Sequence, residues 1–441
     1  MAMDKVTRKI YQFIEKGFNI STDSRQIDKN TIFFALKGPV FDANDYAREA
    51  LEKGAAVAVV DKKGLPEDPG FIKVENVLET LQVLARYHRL TLDIPVIGIT
   101  GSNGKTTTKE LISNVLSVKF RTLFTPGNYN NHIGLPLTIL RITPQHEIAV
   151  IEMGANHRGE IDSLCTIAQP TCGLITNVGK AHLEGFGSFE NIITAKTELY
   201  RHIIQKNGLI FVNKGNALLM NHLKDHKEIL SYGISPDADI TGSIIASQPF
   251  LEISFREKKE NEIGKNEYQI KSKLVGVYNF ENIMAAVAVG LYFGVHRNDI
   301  ISSIESYEPV NSRSQFKDTG KNRIIWDAYN ANPTSMSLAL ENFSQTGGSK
   351  KVVILGDMLE MGEFAGLEHQ AIVNQLEKMH LELIILVGAE FSNCKTVSEN
   401  IKTFATTSEA SVWLERNEIK ERTILVKGSR GIQLENLEKC L

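Results

Sequence analysis

The chain is poor in cysteine, and the few cysteines that it has lie far apart. Its 441 residues include four, and no two of them form a C-x-x-C pair. This spacing indicates neither a zinc knuckle nor a disulfide framework. We expect the four to be small buried side chains in a protein of a reducing compartment. They are Cys165, Cys172, Cys394 and Cys440.

Long apolar runs and basic clusters are also missing. No run approaches the roughly 20 apolar residues that a membrane-spanning helix needs, and residues 1–5 lead into mixed polar sequence, which is not a signal-peptide core. We therefore expect a cytoplasmic protein that is not embedded in a membrane. The net charge of −3, without a basic stripe interleaved with aromatic residues, disfavours a nucleic-acid partner. The polar ends show no coiled-coil pattern, and we expect a monomer.

Short apolar runs alternate with helical patterns along the whole chain, which is typical of α/β proteins. A length of 441 residues suggests about three domains. Residues 93–95 break the first alternation, and a second doubly wound pattern begins near residue 323. We predict domains at residues 1–93, 94–310 and 311–441. The predicted strands include residues 31–36, 55–60, 148–151, 173–176, 209–212, 323–327, 351–355, 383–387 and 423–426.

The most specific local pattern lies at residues 95–110. An apolar run ends in Gly101-x-x-Gly104-Lys105-Thr106, and a helical pattern follows. Glycines let backbone N–H groups approach phosphate oxygens, while the lysine and the hydroxyl can serve the outer phosphates and Mg²⁺. The longer form of this motif would have glycine at position 99, where Ile99 stands. An ordinary turn with a solvated lysine is the alternative, but the flanking strand and helix favour a phosphate-binding loop.

Three further residues have chemistry that suits a site beside such a loop. Glu152 follows a predicted buried strand, where a carboxylate could bind Mg²⁺ or be an ordinary surface acid. His182 follows a glycine-containing strand exit, although a lone histidine is more often structural. Lys196 would ordinarily be a helix-surface lysine. Near metal ions it could instead react with CO₂ and become a carbamate ligand, which would replace a cation of pKa ~10.4 by an anion.

Together these motifs resemble those of the Mur ligases of bacterial cell-wall synthesis, over essentially the whole chain. The motifs that carry the resemblance are residues 21–25, 32–38, 101–106, 127–131, 176–184, Asn279-x-x-Asn282, 327–333, 356–362 and 427–430. The resemblance implies an N-terminal mixed α/β substrate domain, a central parallel-sheet P-loop ATPase domain and a C-terminal Rossmann-like domain. It implies an ATP-dependent, ADP-forming ligase that joins D-alanyl-D-alanine to UDP-N-acetylmuramoyl-tripeptide through an acyl phosphate.

The resemblance also implies a role for individual residues. Lys105, His182 and Lys196 would be catalytic. One Mg²⁺ would be bound by Thr106 and Glu152, and a second by His182 and carbamylated Lys196. ATP would contact Thr100, Gly101, Ser102, Asn103, Gly104, Lys105, Thr106, Asn282, Arg313 and Asp327. The peptide precursor and the dipeptide would contact Asp23, Ser24, Arg25, Asn130, Asn131, Asn330, Asn332 and Asp357.

One stretch departs from the family pattern. Residues 42–45 read Asp-Ala-Asn-Asp where the family usually has Asp-Gly-His-Asp, so a local substrate contact could differ. A sister ligase that adds the third amino acid is the nearest rival, but its Asp-Asn-Pro-Arg motif is missing. A non-catalytic nucleotide-binding regulator is the rival from another class. Such a regulator would need the loop but not Glu152, His182 and Lys196 together.

Overall fold

A computed structural model describes residues 4–258, 267–309, 313–347 and 350–441. The chain forms two compact units. The first comprises Met1–Gly98, Arg121–Met153 and Asp162–Thr171, and the second comprises Ile99–Phe120, Gly154–Ile161 and Cys172–Leu441. The domain boundaries expected from the sequence stay a prediction, and the boundary at 310/311 lies outside the described residues.

The helices follow the predicted alternation. They are α1 Lys5–Glu15, α2 Ala47–Glu52, α3 Val77–Leu90, α4 Lys105–Ser117, α5 Gly134–Ile139, α6 Glu160–Ala168, α7 Leu183–Phe186, α8 Phe189–Lys196, α9 Glu198–Gln205, α10 Ala217–Asn221, α11 Asn279–Tyr292, α12 Arg297–Ser306, α13 Pro333–Gln345, α14 Ala365–Leu376, α15 Ala389–Ser392 and α16 Thr407–Arg416. Short 3₁₀ turns lie at Ala43–Tyr46, Gly362–Phe364, Arg430–Ile432 and Leu434–Cys440.

The predicted strands are also present. The strands are β1 Asn19–Ser21, β2 Thr31–Phe34, β3 Ala55–Val60, β4 Phe71–Lys73, β5 Val96–Thr100, β6 Thr122–Phe124, β7 Ile148–Glu152, β8 Cys172–Ile175, β9 Leu209–Asn213, β10 Ile229–Gly233, β11 Ile240–Ala246, β12 Glu252–Glu257, β13 Tyr268–Lys271, β14 Gln315–Asp318, β15 Arg323–Asp327, β16 Lys351–Gly356, β17 Leu383–Val387, β18 Ile401–Phe404 and β19 Thr423–Lys427.

The first unit contains a parallel sheet of order β1-β2-β3-β4. Its middle strands are buried because their side chains are apolar on both faces, as expected of a covered parallel sheet. Phe33, Ala58 and Val60 belong to the core on one side. In the same unit β6 pairs in parallel with β7, which ends at Glu152.

The second unit contains strands in the order β13-β12-β11-β10-β9-β8 and a separate sheet of order β14-β15-β19-β16-β17-β18. The first set is parallel from β8 to β11 and antiparallel from there to β13. The other sheet is parallel apart from β14, which confirms the predicted doubly wound pattern. Its core includes the fully buried Trp326. In the described ranges, the helices are too short or too polar to span a membrane.

Candidate active site

The predicted phosphate-binding loop joins the end of β5 to the start of α4. Gly101 has φ +143°, and a Cβ there would lie 2.0 Å from the hydroxyl oxygen of Thr176. Gly104 has φ +77°, and a Cβ there would lie 2.6 Å from Oδ1 of Asn282. Both positions therefore require glycine, for backbone conformation and for close approach.

The segment that follows β8 holds this loop in place. The N–H groups of Ser102 and Asn103 donate to the carbonyl oxygen and to Oδ1 of Asn177, both at 3.0 Å. The Thr176 hydroxyl donates to the Asn103 carbonyl at 2.6 Å. The Ser102 hydroxyl also bonds to the backbone of Gly179 at 2.9 Å. The loop conformation is thus fixed by protein groups, which is the preorganisation that ligand binding favours.

Lys105 and Thr106 begin α4 at the end of the loop. The Lys105 ammonium donates to the carbonyls of Gly101 and Ser102, at 2.8 and 3.1 Å. Thr106 is 5% exposed. A cation and a hydroxyl at a helix N-terminus form an arrangement suited to an anionic ligand, because the helix dipole has the same sign as the cation.

Asn282, a predicted nucleotide contact, lies against the loop. Its Oδ1 accepts from the Thr108 hydroxyl at 2.9 Å, and its Nδ2 donates to Asn279 at 2.8 Å. Both asparagines lie on α11 and are almost fully buried. The structure therefore brings together the two sequence motifs, 101–106 and Asn279-x-x-Asn282, that lie about 180 residues apart in the chain.

Lys196 is a buried amine and not the helix-surface lysine that its sequence alone would suggest. It is 1% exposed, and its ammonium group donates to the Ala155 carbonyl at 3.2 Å and lies 5.3 Å from the Phe186 ring centroid. Burial, and then the charge of Lys105, lower the pKa of Lys196 well below its ordinary value. This environment favours the neutral amine, the form that can react with CO₂.

His182 is the residue preceding α7, with φ +53°. Its Nδ1 forms a hydrogen bond with Oε2 of Glu360, which follows β16. The Glu184 N–H donates to the Glu360 carbonyl at 3.1 Å. The hydrogen bond from His182 lowers the pKa of Glu360. The histidine is therefore held by a carboxylate from the last sheet.

The carboxyl ends of β15 and β19 carry a charged cluster. Asp327 accepts from the Lys427 ammonium at 2.6 Å, and Lys427 is only 2% exposed. The Arg313 guanidinium lies 3.6 Å from the Tyr329 ring centroid, and that of Arg430 lies 5.6 Å from it. A cation over the face of an aromatic ring is attracted by the electrons of the ring, so Tyr329 stabilises these guanidinium groups. Ligands bind at this end of open α/β sheets.

Two predicted asparagines lie next to this cluster. Asn332 caps α13 and donates from Nδ2 to Oδ1 of Asn103 at 2.7 Å, so it contacts the phosphate-binding loop directly. Asn330 is exposed, and its side-chain oxygen accepts from the Ala331 N–H at 3.0 Å. A dipeptide contact of either residue stays a prediction.

Asp357, the third residue predicted for the dipeptide, has a structural role here. It is 3% exposed, and its two oxygens accept from the N–H groups of Glu390 and Phe391 at 2.9 and 3.0 Å. A Cβ at Gly388 would lie 2.2 Å from the carboxylate. This carboxylate stabilises the start of α15, and its contact with substrate stays a prediction.

In the first unit, Glu152 ends β7 and is 1% exposed. Its Oε1 accepts from Nδ2 of Asn130 at 2.7 Å, so two predicted site residues lie together. Asn131 instead accepts from the N–H groups of Ile133 and Gly134, at 3.1 and 2.8 Å, and fixes the start of α5. The predicted ligand contacts of the three residues stay predictions.

The predicted precursor-binding loop at residues 21–25 is bonded within itself. Arg25 donates from two nitrogens to the Asp23 carboxylate, both at 2.9 Å, and this pairing lowers the pKa of Asp23 to about 2. The Ser24 carbonyl accepts from the Lys53 ammonium at 3.0 Å. Arg25 remains exposed, with 85% of its side-chain surface open to solvent.

The amino-acid sequence matches three domain models of one protein family. Residues 18–89 match the model of the Mur ligase family catalytic domain, residues 99–290 the Mur ligase middle domain, and residues 312–430 the Mur ligase glutamate ligase domain. The UDP-N-acetylmuramoyl-tripeptide--D-alanyl-D-alanine ligase of Bacillus subtilis (strain 168) is 33% identical over 96% of this chain and 92% of the relative. The chain belongs to the Mur ligase family.

Solved Mur ligase structures agree with the three-domain α/β fold. A crystal structure of MurF from Acinetobacter baumannii has a TM-score of 0.86 and 32% identity, covering 97% of each chain. MurF ligase from Thermotoga maritima, in complex with ADP, has a TM-score of 0.84 and 27% identity. That alignment covers 99% of this chain and 98% of that one. The expected fold is thereby confirmed.

Two features of this Mur ligase were not found by sequence reasoning. Thr176 lies in the 176–184 motif without a predicted role, and Asn177 follows a predicted strand, where a ligand contact is expected, yet both hold the loop. Glu360 was likewise part of the 356–362 motif without a role, yet it bonds to His182. The only available signal was position, because each follows the carboxyl end of a parallel strand, where ligand-binding groups gather.

The departure at residues 42–45 has a local explanation. Asn44 is 2% exposed, donates to Asp42 and Asp61 at 2.7 and 2.9 Å, and accepts from the Asp61 N–H at 3.0 Å. The asparagine thus ties the 3₁₀ turn at Ala43–Tyr46 to the end of β3. It supplies polar groups to the protein where the family usually has histidine.

Proposed function

We propose that this Mur ligase joins D-alanyl-D-alanine to UDP-N-acetylmuramoyl-tripeptide with hydrolysis of ATP to ADP and phosphate. The observation that carries the proposal is the phosphate-binding loop. Asn177 and Thr176 fix its conformation, and Gly104 of the loop packs closely against Asn282. The names of the relatives support the choice of substrates, and the ADP in the Thermotoga maritima structure supports the choice of nucleotide.

The reaction follows from the chemistry of the partners. A carboxylate does not accept an amine directly, because its oxygen is a poor leaving group. Transfer of the ATP γ-phosphoryl group to the tripeptide carboxylate forms an acyl phosphate and releases ADP. The dipeptide amine then attacks the carbonyl carbon, loses a proton, and expels phosphate. Lys105 would neutralise charge on the transferred group, since catalysis here consists mainly of positioning and electrostatics.

The residues predicted to hold Mg²⁺ fit it chemically. The Thr106 hydroxyl and the Glu152 carboxylate are oxygen donors, the type that Mg²⁺ prefers. His182 and carbamylated Lys196 would hold a second ion. Bound Mg²⁺ would neutralise the phosphoryl oxygens during transfer. Across the described ranges, no three His, Cys, Asp or Glu side chains are grouped for a metal, so these sites depend on Thr106, on modified Lys196 and on the nucleotide itself.

Carbamylation of Lys196 would convert a buried amine into an anion. The neutral amine attacks CO₂, a C–N bond forms, and one proton is released to solvent. The depressed pKa of Lys196 supports this step, because only the unprotonated amine has the lone pair. The product is a carbamate, whose oxygens are hard ligands for Mg²⁺.

The other predicted residues would bind substrate. Asp327 and Arg313 would hold the nucleotide from the last domain, and closure of that domain would exclude water that hydrolyses an acyl phosphate. The 21–25 loop would bind the uridine diphosphate end of the precursor. Asn130 and Asn131 would face the phosphates or the muramyl group, while the region of Asn330, Asn332 and Asp357 would take the dipeptide. Cytoplasmic location and a monomeric state remain expectations.

A grid of acceptors and amine donors with product mass analysis tests the proposal. We expect ADP release that requires both UDP-N-acetylmuramoyl-tripeptide and D-alanyl-D-alanine, with a product of the summed mass minus water. Product with UDP-N-acetylmuramoyl-dipeptide and lysine or diaminopimelate would identify the sister ligase instead. Rapid ATP hydrolysis without any amine donor would contradict both.

Replacement of Lys196 by methionine tests the carbamate and separates an enzyme from a nucleotide-binding regulator. Methionine fills the buried space without an amine. We expect wild-type ligation to fall in CO₂-free buffer and to recover with bicarbonate, and Lys196→Met to be inactive with or without bicarbonate. Intact turnover in the variant, with no response to bicarbonate, would favour the regulator.

A further inference from the structure

The contact between His182 and Glu360 is unusual in its backbone. His182 has φ +53° and Glu360 has φ +61°, a region that non-glycine residues rarely adopt. The imidazole Nδ1 bonds to the Glu360 carboxylate, and the Glu360 carbonyl accepts from the Glu184 N–H at 3.1 Å. Two residues in strained conformations thus meet through both side chain and main chain. Such strain persists where the surroundings determine it, and it clusters at functional sites.

Neighbouring contacts hold residues 180–184 against several segments of the last domain. The Lys180 ammonium donates to Glu368 at 2.6 Å, and the Lys180 N–H donates to the Thr334 hydroxyl at 3.0 Å. A Cβ at Gly362 would lie 3.2 Å from the Glu184 side chain. The His182–Glu360 contact is therefore one part of a docked surface. It differs from the rest because it engages a side chain predicted to bind metal.

The contact leaves one nitrogen of His182 for a ligand. Nδ1 is occupied by Glu360, and in the part of the chain that the structure describes Nε2 has no hydrogen-bond partner. Metal-bound histidines nearly always donate their other ring N–H to a carboxylate or carbonyl, which fixes the tautomer and the ring orientation. Glu360 stands in that relation to His182.

We propose that Glu360 is a positioning residue, which holds the His182 imidazole with Nε2 available to the second metal ion. Since Glu360 follows β16 of the last sheet, the metal-binding geometry of His182 is complete only while that sheet is docked on residues 179–184. This inference rests on the proposed function only for the use of a metal ion. It assigns Glu360 a role that the residue predictions did not contain.

The test is a double-mutant cycle read by metal binding. Mn²⁺ serves as the probe, and free Mn²⁺ is measured by electron paramagnetic resonance with a non-hydrolysable ATP analogue present. The variants are Glu360→Gln, His182→Gln and the double variant. The matched control is Glu363→Gln, an exposed glutamate three residues away in the same segment. Thermal melting of each variant checks that it is folded, which is expected because the Glu360 side chain is about half exposed.

We expect Glu360→Gln to weaken, by about 10–100-fold, the binding of the Mn²⁺ ion that depends on His182. Glu363→Gln should bind Mn²⁺ as the wild type does. In the His182→Gln background, Glu360→Gln should have no further effect, since a residue that acts through another loses its influence when that other is removed.

Three results would overturn the inference. In the first, Glu360→Gln binds Mn²⁺ as tightly as the wild type. In the second, Glu360→Gln lowers Mn²⁺ affinity as much in the His182→Gln background as in the wild type. In the third, no Mn²⁺ binding depends on His182. The substrate grid judges the proposed function separately. A wild type that makes no product, with the cycle as expected, would refute the function and keep the positioning role. Product formation without coupling in the cycle would keep the proposed function and refute the positioning role of Glu360.

Discussion

The phosphate-binding loop at 101–106 and the loop at 21–25 are held in opposite ways. In the first, N–H groups and carbonyls bond to Asn177 and Thr176, which lie more than 70 residues away in the chain. In the second, the charged groups bond to one another, with Arg25 paired to Asp23 two residues before it. Distant parts of the fold fix the first loop, whereas the second is held by this short-range ion pair together with the Lys53 ammonium, which donates to the Ser24 carbonyl.

The difference indicates what ligand binding costs at each loop. The phosphate-binding loop is already ordered, so a nucleotide has little conformational freedom to remove. Arg25 is exposed, and its guanidinium is already paired with the Asp23 carboxylate. An anionic ligand would therefore have to share Arg25 with Asp23 or displace that carboxylate. Substitutions in the first region should therefore act on catalysis and nucleotide affinity, and substitutions in the second on the precursor alone.

Lys105→Met should have the largest effect. It removes the cation that would neutralise the transferred phosphoryl group, and loss of one such electrostatic contact costs about 10²–10³-fold in kcat. ADP release in the presence of both substrates measures it. Arg25→Ala is the contrasting variant, for which we expect a raised KM for the UDP precursor and an unchanged kcat. A lowered kcat in Arg25→Ala would contradict the expectation that the loop at 21–25 acts on the precursor alone.

Gly104→Ala should come next. Alanine would keep φ near +77° only with strain, and its Cβ would meet the bonded side chain of Asn282. We expect the Kd for ADP, measured by calorimetry, to rise by more than about tenfold, since each 1.4 kcal/mol is a factor of ten.

Gly64→Ala is the matched control for that substitution. Gly64 has φ +81°, and a Cβ added there would have no atom within 4 Å, so only the conformational cost of about 1–2 kcal/mol applies. Its unfolding midpoint should fall while the Kd for ADP stays the same. Equal ADP affinity in both variants would show that the close approach to Asn282 is unimportant.

Thr176→Ala should have a smaller effect. It removes the hydroxyl that bonds to the Asn103 carbonyl, and a neutral hydrogen bond contributes about 1 kcal/mol net, or roughly fivefold in Kd for ADP. Thr176→Ser keeps the hydroxyl and should bind ADP nearly as the wild type does. A serine variant as weak as the alanine variant would point to packing of the methyl group instead.

Asp23→Asn should have the smallest effect, visible in its pH dependence. The folded pKa of Asp23 is about 2, below the ordinary 3.8. Its ion pair with Arg25 thus contributes stability above pH 3.8 that is lost as the pH falls through about 2. Denaturant midpoints of wild type and variant should differ at pH 7 and converge between pH 4 and 2. A gap that is constant with pH would exclude the carboxylate as its source.

Much of the fold could be predicted because local patterns determine it. Alternating apolar runs and helical spacing predicted the parallel strands and the doubly wound last sheet, and the glycines with Lys105 predicted the loop. The supporting side chains could not be predicted in the same way. Thr176 and Glu360 act through partners far away in sequence, which only the tertiary fold brings together.

At Asp357 the sequence predicts a substrate contact but not the structural role that the carboxylate also has. A carboxylate at the end of a parallel strand fits a substrate contact, and the prediction followed that rule. The structure shows its oxygens bonded to the start of α15 and enclosed by Gly388. A capping carboxylate and a ligand-binding carboxylate have the same sequence signature, because both lie where a strand gives way to a loop.

The position of Trp326 gives the last sheet an optical reporter. The chain has two tryptophans, Trp326 and Trp413, and both belong to the core around β15, β19 and α16. Trp326 is fully buried and immediately precedes Asp327. Emission from indole should therefore respond to a nucleotide that contacts Asp327, the contact predicted for this residue. Stopped-flow fluorescence of the unlabelled protein can thus time the arrival of a nucleotide at the last sheet and test the predicted contact of Asp327.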